Sequence, residues 1–273
     1  KDFKYNISLN GSYNKNEVGN IPTSDGIIHG AGDELYNNAS EFYRAENGQP
    51  IGYFWGYKTA GIFQNTQEID EWRAAGNGIL QSNVQPGDVR FVDRNHDGQI
   101  NDKDKVNLGN GTPDFTLGLN LGFVYKGFDF SIVANGAFGQ QIVQSYRNHT
   151  RPTPNYTTAI LDRWHGEGTS NRIPRVTDSN INYQFSDLFI QNGDYLRLST
   201  LTLGYDFAKL FKGKAVSQAR LYFQVQNLFI ITGYDGMDPE IGFGSSNNSW
   251  VSGLDYGYYP RPRTVLVGVN LKF

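Results

Sequence analysis

The fold of this chain is decided by residues 115–134, which read FTLGLNLGFVYKGFDFSIVA. Every second residue from Phe115 to Tyr125 is apolar, and Thr, Gly and Asn fill most positions between them. After Lys126-Gly127, apolar residues resume at every second position from Phe128 to Ala134. A period of two is typical of β-strands, and a two-residue connection containing Gly is typical of a tight hairpin. The stretch therefore predicts two antiparallel strands, each with one apolar face.

The same alternation recurs elsewhere and brings the number of predicted strands to six. The further segments are 3–13, 195–207, 220–226 and 264–273, and a phase change between Leu198 and Leu201 predicts a β-bulge. Several strands run 11 to 13 residues, whereas strands of soluble domains average ~5–6 and membrane-spanning strands need ~9–11. Strand length thus favours a transmembrane β-barrel. A soluble β-sandwich stays open, because one buried and one wet sheet face also produce alternation.

In a barrel, the apolar set is predicted to face lipid. Its members are Phe3, Tyr5, Ile7, Leu9, Leu117, Leu119, Leu121, Phe130, Ile132, Phe223, Val225, Val267, Val269 and Leu271. The opposite face carries polar residues such as Asp129, Asn135, Arg197, Gln224 and Gln226, which are expected to be a solvated barrel interior.

The composition favours β-strands and argues against several classes of function. The 273 residues include 32 Gly, 17 Tyr and 18 Phe, a balance that suits strands and turns better than packed helices. No run approaches the ~18 apolar residues of a transmembrane helix. A net charge of −3 without a basic run argues against nucleic acid as a partner, and the absence of cysteine excludes disulfides and thiolate chemistry.

The connections between the strands alternate in length. Lys126-Gly127 is tight and 208–216 is short, whereas 16–113, 140–194 and 232–261 are long and rich in Gly, Asn, Ser and Pro. Outer-membrane barrels show short periplasmic turns and long extracellular loops. If the last strand ends on the periplasmic side, all three long segments lie outside the cell. Residues 51–63, although strand-like, then belong to this outer region.

Two short helices are predicted within the long segments. Asn65-Thr66-Gln67-Glu68 has the pattern of a capping box and opens a helix that ends at Gly76. Residues 157–165, followed by Gly166, form the second. The loop aromatics Trp55, Tyr57, Trp164 and Trp250 are expected to pack within the loops rather than to bind sugars or a partner.

One motif predicts a metal site. Residues 93–104 read DRNHDGQINDKD and match a 12-residue calcium loop, with Asp93, Asn95 and Asp97 at positions 1, 3 and 5. Gly98 takes the sharp turn, Gln99 offers its backbone carbonyl, and Asp104 replaces the usual Glu at position 12. We expect one structural Ca²⁺, because the flanking segments are not EF-hand helices. The competing interpretation is a polar turn in which Asn and Asp accept backbone hydrogen bonds.

No catalytic constellation is evident. His29, His96, His149 and His165 are scattered, and the HExxH, GxSxG and Walker A motifs are absent from the sequence. The chain is therefore not expected to be an enzyme, although a glycosidase carboxylate pair is not excluded by sequence.

Several motifs, in their order along the chain, resemble SusC/RagA-type TonB-dependent transporters. They are GYFWGY at 52–57 with GIFQ at 61–64, PGDVRF at 86–91, YKGFD at 125–129, YLRL at 195–198 with LTLGY at 201–205, and PRT at 262–264. The resemblance covers nearly the whole chain.

The resemblance implies a 22-stranded barrel in the outer membrane of a Gram-negative bacterium, with an N-terminal plug that TonB engages and a SusD-like surface lipoprotein as partner. It implies energised import of oligosaccharides or peptides. Residues 1–273 would then be the C-terminal portion of the barrel, with 16–113 as an extracellular loop region. Six strands cannot close so wide a barrel, and the plug and N-terminal strands are expected in the remainder of the polypeptide. The alternatives are a calcium-stabilised surface β-sandwich that binds glycans and a hydrolase.

Overall fold

Fifteen strands and one α-helix make up the described part of the chain. The computed structural model describes residues 3–30, 41–145, 157–177, 181–208, 216–241 and 250–273. The strands are β1 (Phe3–Tyr13), β2 (Ile27–His29), β3 (Tyr43–Glu46), β4 (Tyr53–Gly56), β5 (Thr59–Ile62), β6 (Val89–Phe91), β7 (Val106–Asn107), β8 (Phe115–Tyr125), β9 (Phe128–Phe138), β10 (Gln141–Gln144), β11 (Ile190–Asn192), β12 (Tyr195–Asp206), β13 (Gln218–Thr232), β14 (Leu254–Asp255) and β15 (Thr264–Lys272). The helix is α1 (Thr66–Ala74), and 3₁₀ turns lie at Asp102–Asp104, Thr158–Asp162, Ile181–Tyr183 and Asp187–Phe189.

The six long strands form one antiparallel sheet in the order β1-β8-β9-β12-β13-β15. These are the six strands that the alternation predicts. The dipeptide between β8 and β9 has φ of 50° at Lys126 and 95° at Gly127, and positive φ at both central positions is the mark of a type I′ hairpin. The register shifts between Leu198 and Thr200 in the pairing of β12 with both neighbours. The predicted hairpin and bulge are therefore confirmed.

The pairing aligns the apolar residues of all six strands on one face. Leu121 lies opposite Ile7 and Ile132, and Ile132 lies opposite Leu201. The row continues through Val225 to Val265 on β15. This face is largely uncovered, with exposed fractions of 68% for Tyr5, 67% for Leu9 and 71% for Val267. Val225, which is predicted to face lipid, is an exception, since it is only 6% exposed. A β-sandwich would cover this face with a second sheet, whereas Tyr5, Leu9 and Val267 are exposed in the described structure.

The opposite face carries an ion pair that spans three strands. Arg220 on β13 donates from Nε and Nη2 to the carboxylate of Asp129 on β9, at 2.7 and 2.5 Å. The strand between them, β12, has Gly204 at this level. A methyl group there would overlap Asp129 Oδ1 and lie 2.6 Å from Arg220 Nε. Glycine thus leaves the space in which the two charges meet.

The hydrophobic core lies in the long connections rather than under the sheet. Residues 14–114, 139–194 and 233–263 join the long strands at one end of the sheet, and we call their described parts the loop layer. All three connections contribute buried side chains to one cluster, which contains Phe42, Tyr43, Phe54, Leu108, Val143, Phe185, Val251 and Leu254. Short sheets of order β2-β3-β4-β7, β5-β6 and β11-β10-β14 frame this cluster. The loop layer is therefore a packed body with its own core.

The first predicted helix is confirmed, and the second is wrong. The Asn65 side chain accepts from Glu68 N at 3.0 Å, and Gly76 follows the helix with φ of 81°. The Glu68 carboxylate accepts from Gln64 N, whereas a capping box would use the N–H of the next residue, Asn65. Residues 157–165 form only a five-residue 3₁₀ turn, since Thr157 makes no side-chain capping bond and the backbone is extended again at Arg163. Within the described residues, no helix is both long and apolar enough to cross a bilayer.

The four loop aromatics pack inside the loop layer, as expected. Trp55 lies between the Arg44 guanidinium, 3.3 Å from the ring centroid, and the Lys105 ammonium at 4.4 Å. Tyr57 packs edge-on against Phe91 with centroids 5.6 Å apart. Trp164 Nε1 donates to Gln64 Oε1, and Trp250 packs against Tyr43.

The expectation of a solvated interior is wrong for Arg197. Arg197 is 4% exposed, and its guanidinium pairs with Asp238 at 2.6 Å and with Glu240 at 3.0 Å. Both acids come from the connection between β13 and β15. The wall of the sheet is therefore tied to the loop layer by a buried ion-pair network.

Candidate metal centre

The loop predicted to bind calcium joins β6 to the 3₁₀ turn at Asp102–Asp104. Its turns are made by side chains that cap nearby backbone groups. Asn95 Oδ1 accepts from Asp97 N at 3.1 Å, and Asp97 Oδ1 accepts from Gln99 N at 2.9 Å. The backbone is left-handed at His96 (φ 55°) and at Gly98 (φ 79°). Gly98 therefore takes the sharp turn at the position that the motif predicts.

Asp93 is the buried anchor of the loop. Its Oδ2 accepts from Gly98 N and from Gly78 N, both at 2.9 Å. Its Oδ1 is also buried, and within the described structure it has no hydrogen-bond partner. Buried polar atoms are nearly always paired, because desolvation without a partner is costly. The orphaned oxygen is the observation that points to a ligand here.

Asp104 closes the loop from its other end. Its Oδ1 accepts from Arg94 N at 2.9 Å and from Asn95 N at 3.5 Å, and its Oδ2 accepts from Asn101 N at 2.9 Å. The residue is fully buried. Motif positions 1 and 12 are thus both bonded to the loop backbone, which holds the two ends of the motif together.

The electrostatics of the loop favour a cation. Burial raises the pKa of Asp93, but hydrogen bonds from the backbone of Gly78, Gly98, His96 and Asp97 together outweigh burial and hold the pKa below its usual value. Burial, together with the charges of Asp102 and Asp104, raises the pKa of Tyr57 to about 12. The Asp93 carboxylate is therefore ionised at neutral pH, and the negative charge of the loop reaches the neighbouring Tyr57 phenol.

The donor chemistry fits a hard divalent cation, but the predicted ligand side chains are only partly brought together. Asp93 and Asp104 are fixed on the loop backbone, and Asn95 Nδ2 donates to Asp97 Oδ2 at 2.9 Å on the exposed side. Gln99 is exposed as well. Among the described residues, no group of three or more His, Cys, Asp or Glu side chains is clustered as a metal site. Carboxylate, amide and carbonyl oxygens are nevertheless the ligands that Ca²⁺ prefers.

The structure adds Gly78, which sequence reasoning did not identify. Its N–H reaches Asp93 from a segment 15 residues away, and a methyl group at Gly78 would lie 2.6 Å from the Gln99 carbonyl carbon. Nothing in the local sequence signals this contact. The segment after α1 is therefore packed directly on the candidate site.

Of the four histidines, His149 lies outside the described residues.

No protein-family model matches the chain, but curated relatives do. TonB-dependent receptor P3 of Formosa agariphila is 32% identical over 285 residues, which cover 100% of this chain and 27% of that receptor. TonB-dependent receptor SusC of Bacteroides thetaiotaomicron is 29% identical over 275 residues, covering 100% of this chain and 25% of SusC. This chain is homologous to TonB-dependent receptors. It spans about a quarter of the length of these receptors.

Solved structures agree with the receptor homology at the level of the fold. The structure of the RagAB peptide transporter matches with a TM-score of 0.70 and 20% identity, over 100% of this chain and 28% of that one. The RagAB peptide importer in its open-open state matches with a TM-score of 0.68. The predicted resemblance and the predicted fold class, part of an antiparallel β-barrel of the SusC/RagA type, are confirmed.

Proposed function

We propose that this chain forms part of the wall of a TonB-dependent importer in the outer membrane of a Gram-negative bacterium. The observation that carries the proposal is the apolar row across six long strands of a chain homologous to TonB-dependent receptors. Side chains as exposed as Leu9 and Val267 would form a large apolar patch on a soluble protein, and such patches mark membrane or protein contacts. Lipid is the contact that suits strands of 9 to 15 residues.

The polar face and the two free edges of the sheet indicate that the rest of the polypeptide supplies further barrel strands. The Asp129–Arg220 pair and its neighbours line the side away from lipid, where a channel runs in a wide barrel. In the described structure β1 and β15 each pair on one side only. Further strands of the same polypeptide complete the barrel in our proposal, and its plug receives TonB.

The cargo is an oligosaccharide or a peptide, and the partner is a SusD-like surface lipoprotein. SusC-type resemblance supports both the lipoprotein and oligosaccharides, and the RagAB structures, described as a peptide transporter, support peptides. The loop layer is a packed surface at one end of the sheet and suits a docked lipoprotein. We propose that this end faces outward and that the protein has no enzymatic activity.

We also propose that the loop at 93–104 holds one structural Ca²⁺. Asp93, Asn95, Asp97 and Asp104 would supply side-chain oxygens, and Gln99 would supply its carbonyl. The bound ion would satisfy the orphaned Asp93 oxygen and neutralise the buried carboxylates. Because α1 leads into Gly78, which contacts Asp93, the ion would stabilise residues 76–104 together.

Import is tested in the native host with the full-length gene. Deletion should abolish growth or uptake on at least one labelled oligosaccharide or peptide mixture, and loss of TonB should have the same effect. A tagged full-length receptor should co-purify with a lipoprotein from the same membrane. Unchanged uptake of every oligosaccharide and peptide after deletion would refute the proposal.

A further inference from the structure

The segment that leads into β15 exposes aromatic and cationic side chains together. Residues 256–263 read YGYYPRPR and contain two Arg and no Asp or Glu. Tyr259 is 88% exposed, and Tyr258, Arg261 and Arg263 are exposed as well. We call residues 258–263 the rim segment. A tyrosine has an apolar ring and a polar hydroxyl, and it is therefore suited to the boundary between lipid and water.

The rim segment lies where the apolar row of β15 ends. β15 begins at Thr264, and the first residue of its apolar face is Val265. Strands rise ~3.4 Å per residue, so Arg263 lies within about 7 Å of Val265 along the chain. In our proposal Val265 faces lipid and the row ends at the boundary of the hydrocarbon core. The rim segment is then at the depth of the lipid headgroups.

The neighbouring strand β13 holds the rim segment in place. The pairing of β13 with β15 stops at Gln226, although β13 continues. The next residue, Asn227, has φ of 51°, and its Nδ2 donates to Pro262 O at 3.0 Å. This hydrogen bond fixes the middle of the rim segment beside the outer part of β13.

The outer part of β13 also extends the apolar face toward the rim segment. Phe229 lies opposite Leu198, which lies opposite Ala134, and Ala134 lies opposite Leu119 on the same face. Phe229 is 48% exposed, and Ile231, two positions further on, is 61% exposed. Apolar side chains therefore border the exposed arginines and tyrosines. An amphipathic molecule fits this arrangement, with its acyl chains on the strands and its headgroup on the rim segment.

The two arginines of the rim segment differ in their surroundings. Arg261 Nη2 lies 2.9 Å from Glu240 Oε1, and Glu240 Oε2 lies 3.0 Å from Arg197 Nε. Arg261 therefore anchors the segment to the buried network around Arg197. Arg263 is exposed and is the charged residue next to the apolar row in the chain. A phosphate is a strong partner for a guanidinium, because two N–H groups can bond to two of its oxygens.

We infer that the rim segment and the apolar ends of β13 and β15 bind a phosphorylated lipid of the outer leaflet. Arg263 would bond to the phosphate, Tyr258 and Tyr259 would lie among the headgroups, and the acyl chains would lie along Phe229 and Val265. The inference rests on the proposed membrane position of this sheet and adds a lipid partner to it. A soluble phosphate fits less well, because it would leave the apolar side chains uncovered.

The test measures lipid binding by the full-length receptor in detergent, with native mass spectrometry. The probes are lipid A with two phosphates and the same lipid A after both phosphates are removed. The wild type should bind the phosphorylated form at least fivefold more tightly. Arg263→Gln should weaken binding of this form about fivefold, or ~1 kcal/mol, the effect of one cation at a membrane surface. Arg263→Lys should retain most of the affinity.

Two further variants separate the apolar contact from the charge. Phe229→Ser removes an acyl-chain contact and should weaken binding of both forms of lipid A by a similar factor of at least three. Arg172→Gln is the matched control, because it removes an exposed arginine from the connection between β10 and β11. It should change the affinity less than twofold. Near-ultraviolet circular dichroism checks that each variant is folded.

The outcomes separate the lipid site from the membrane position. Equal affinity of the wild type for both forms of lipid A would overturn the recognition of phosphate. Affinity that is unchanged in both Arg263→Gln and Phe229→Ser would overturn the location of the site. Loss of a co-purified protein partner in Arg263→Gln, with unchanged lipid binding, would overturn it in favour of a protein contact. Spin labels at Leu119 and Phe223 still report lipid in all three cases, whereas failure of the membrane proposal shows as water access at these labels.

Discussion

Calcium should slow hydrogen exchange at the two amides that bond to Asp93, those of Gly78 and Gly98. Opening of the loop exposes both amides and breaks up the candidate site, so a bound ion lowers the open population by the factor 1 + [Ca²⁺]/Kd. Extracellular calcium modules have Kd of about 10⁻⁴–10⁻³ M. At 10 mM calcium the factor is about 10–100, or ~1.4–2.7 kcal/mol.

The assay is exchange of the full-length receptor in detergent, with and without 10 mM calcium, read on peptides that cover residues 76–104. Asp97→Ala should abolish the calcium effect while leaving Asp93 and its two amides in place. Asp102→Ala is the matched control, because this 75% exposed carboxylate pairs with Lys105 and is not a proposed ligand. Equal exchange with and without calcium in the wild type would refute the site. So would a calcium effect that survives in Asp97→Ala.

Two further predictions concern the sheet and the loop layer. Gly204→Ala should break the ion pair of Arg220 with Asp129 across β12 and destabilise the full-length barrel by about 1–3 kcal/mol in urea unfolding. Gly122→Ala is the control, because the nearest atoms there are 3.9 Å away, and it should destabilise the barrel far less. Equal losses of stability in the two variants would contradict this explanation. The hydrogen bond to Glu41 raises the pKa of His29, so the stability it adds is complete below the usual pKa of ~6.5 and disappears as pH rises through the folded value. A histidine NMR titration should show the raised pKa in the wild type and a lower one in Glu41→Gln, and identical values would refute the contact.

The main sheet could be predicted from the sequence because its signals are local. Alternation around Phe115–Ala134 fixes the faces of two strands, and Lys126-Gly127 fixes their register. The phase change near Leu198 located the bulge. Asn65 and Gly76 bounded α1 for the same reason, since a cap is a contact within one turn.

The loop layer could not be predicted, because its core is assembled from isolated residues. Phe54, Val143 and Val251 come from three different connections and follow no period. The partners of Arg197 lie 41 or more residues away in the sequence, so the local sequence predicts a solvated side chain. The metal loop could be predicted only in part. The spacing of its motif identifies Asp93 and Asp104, whereas the unpaired Asp93 oxygen and the contact with Gly78 depend on tertiary packing.

The most direct test of the membrane-wall account is site-directed spin labelling of the full-length receptor in lipid bilayers. Labels replace Leu119 and Phe223 on the apolar face, and Asn120 and Gln224 on the opposite face. The account predicts strong relaxation by oxygen, which concentrates in lipid, at Leu119 and Phe223. It predicts strong relaxation by a water-soluble nickel complex at Asn120 and Gln224. Equal access of the nickel complex to all four positions would contradict the claim that this sheet spans a membrane.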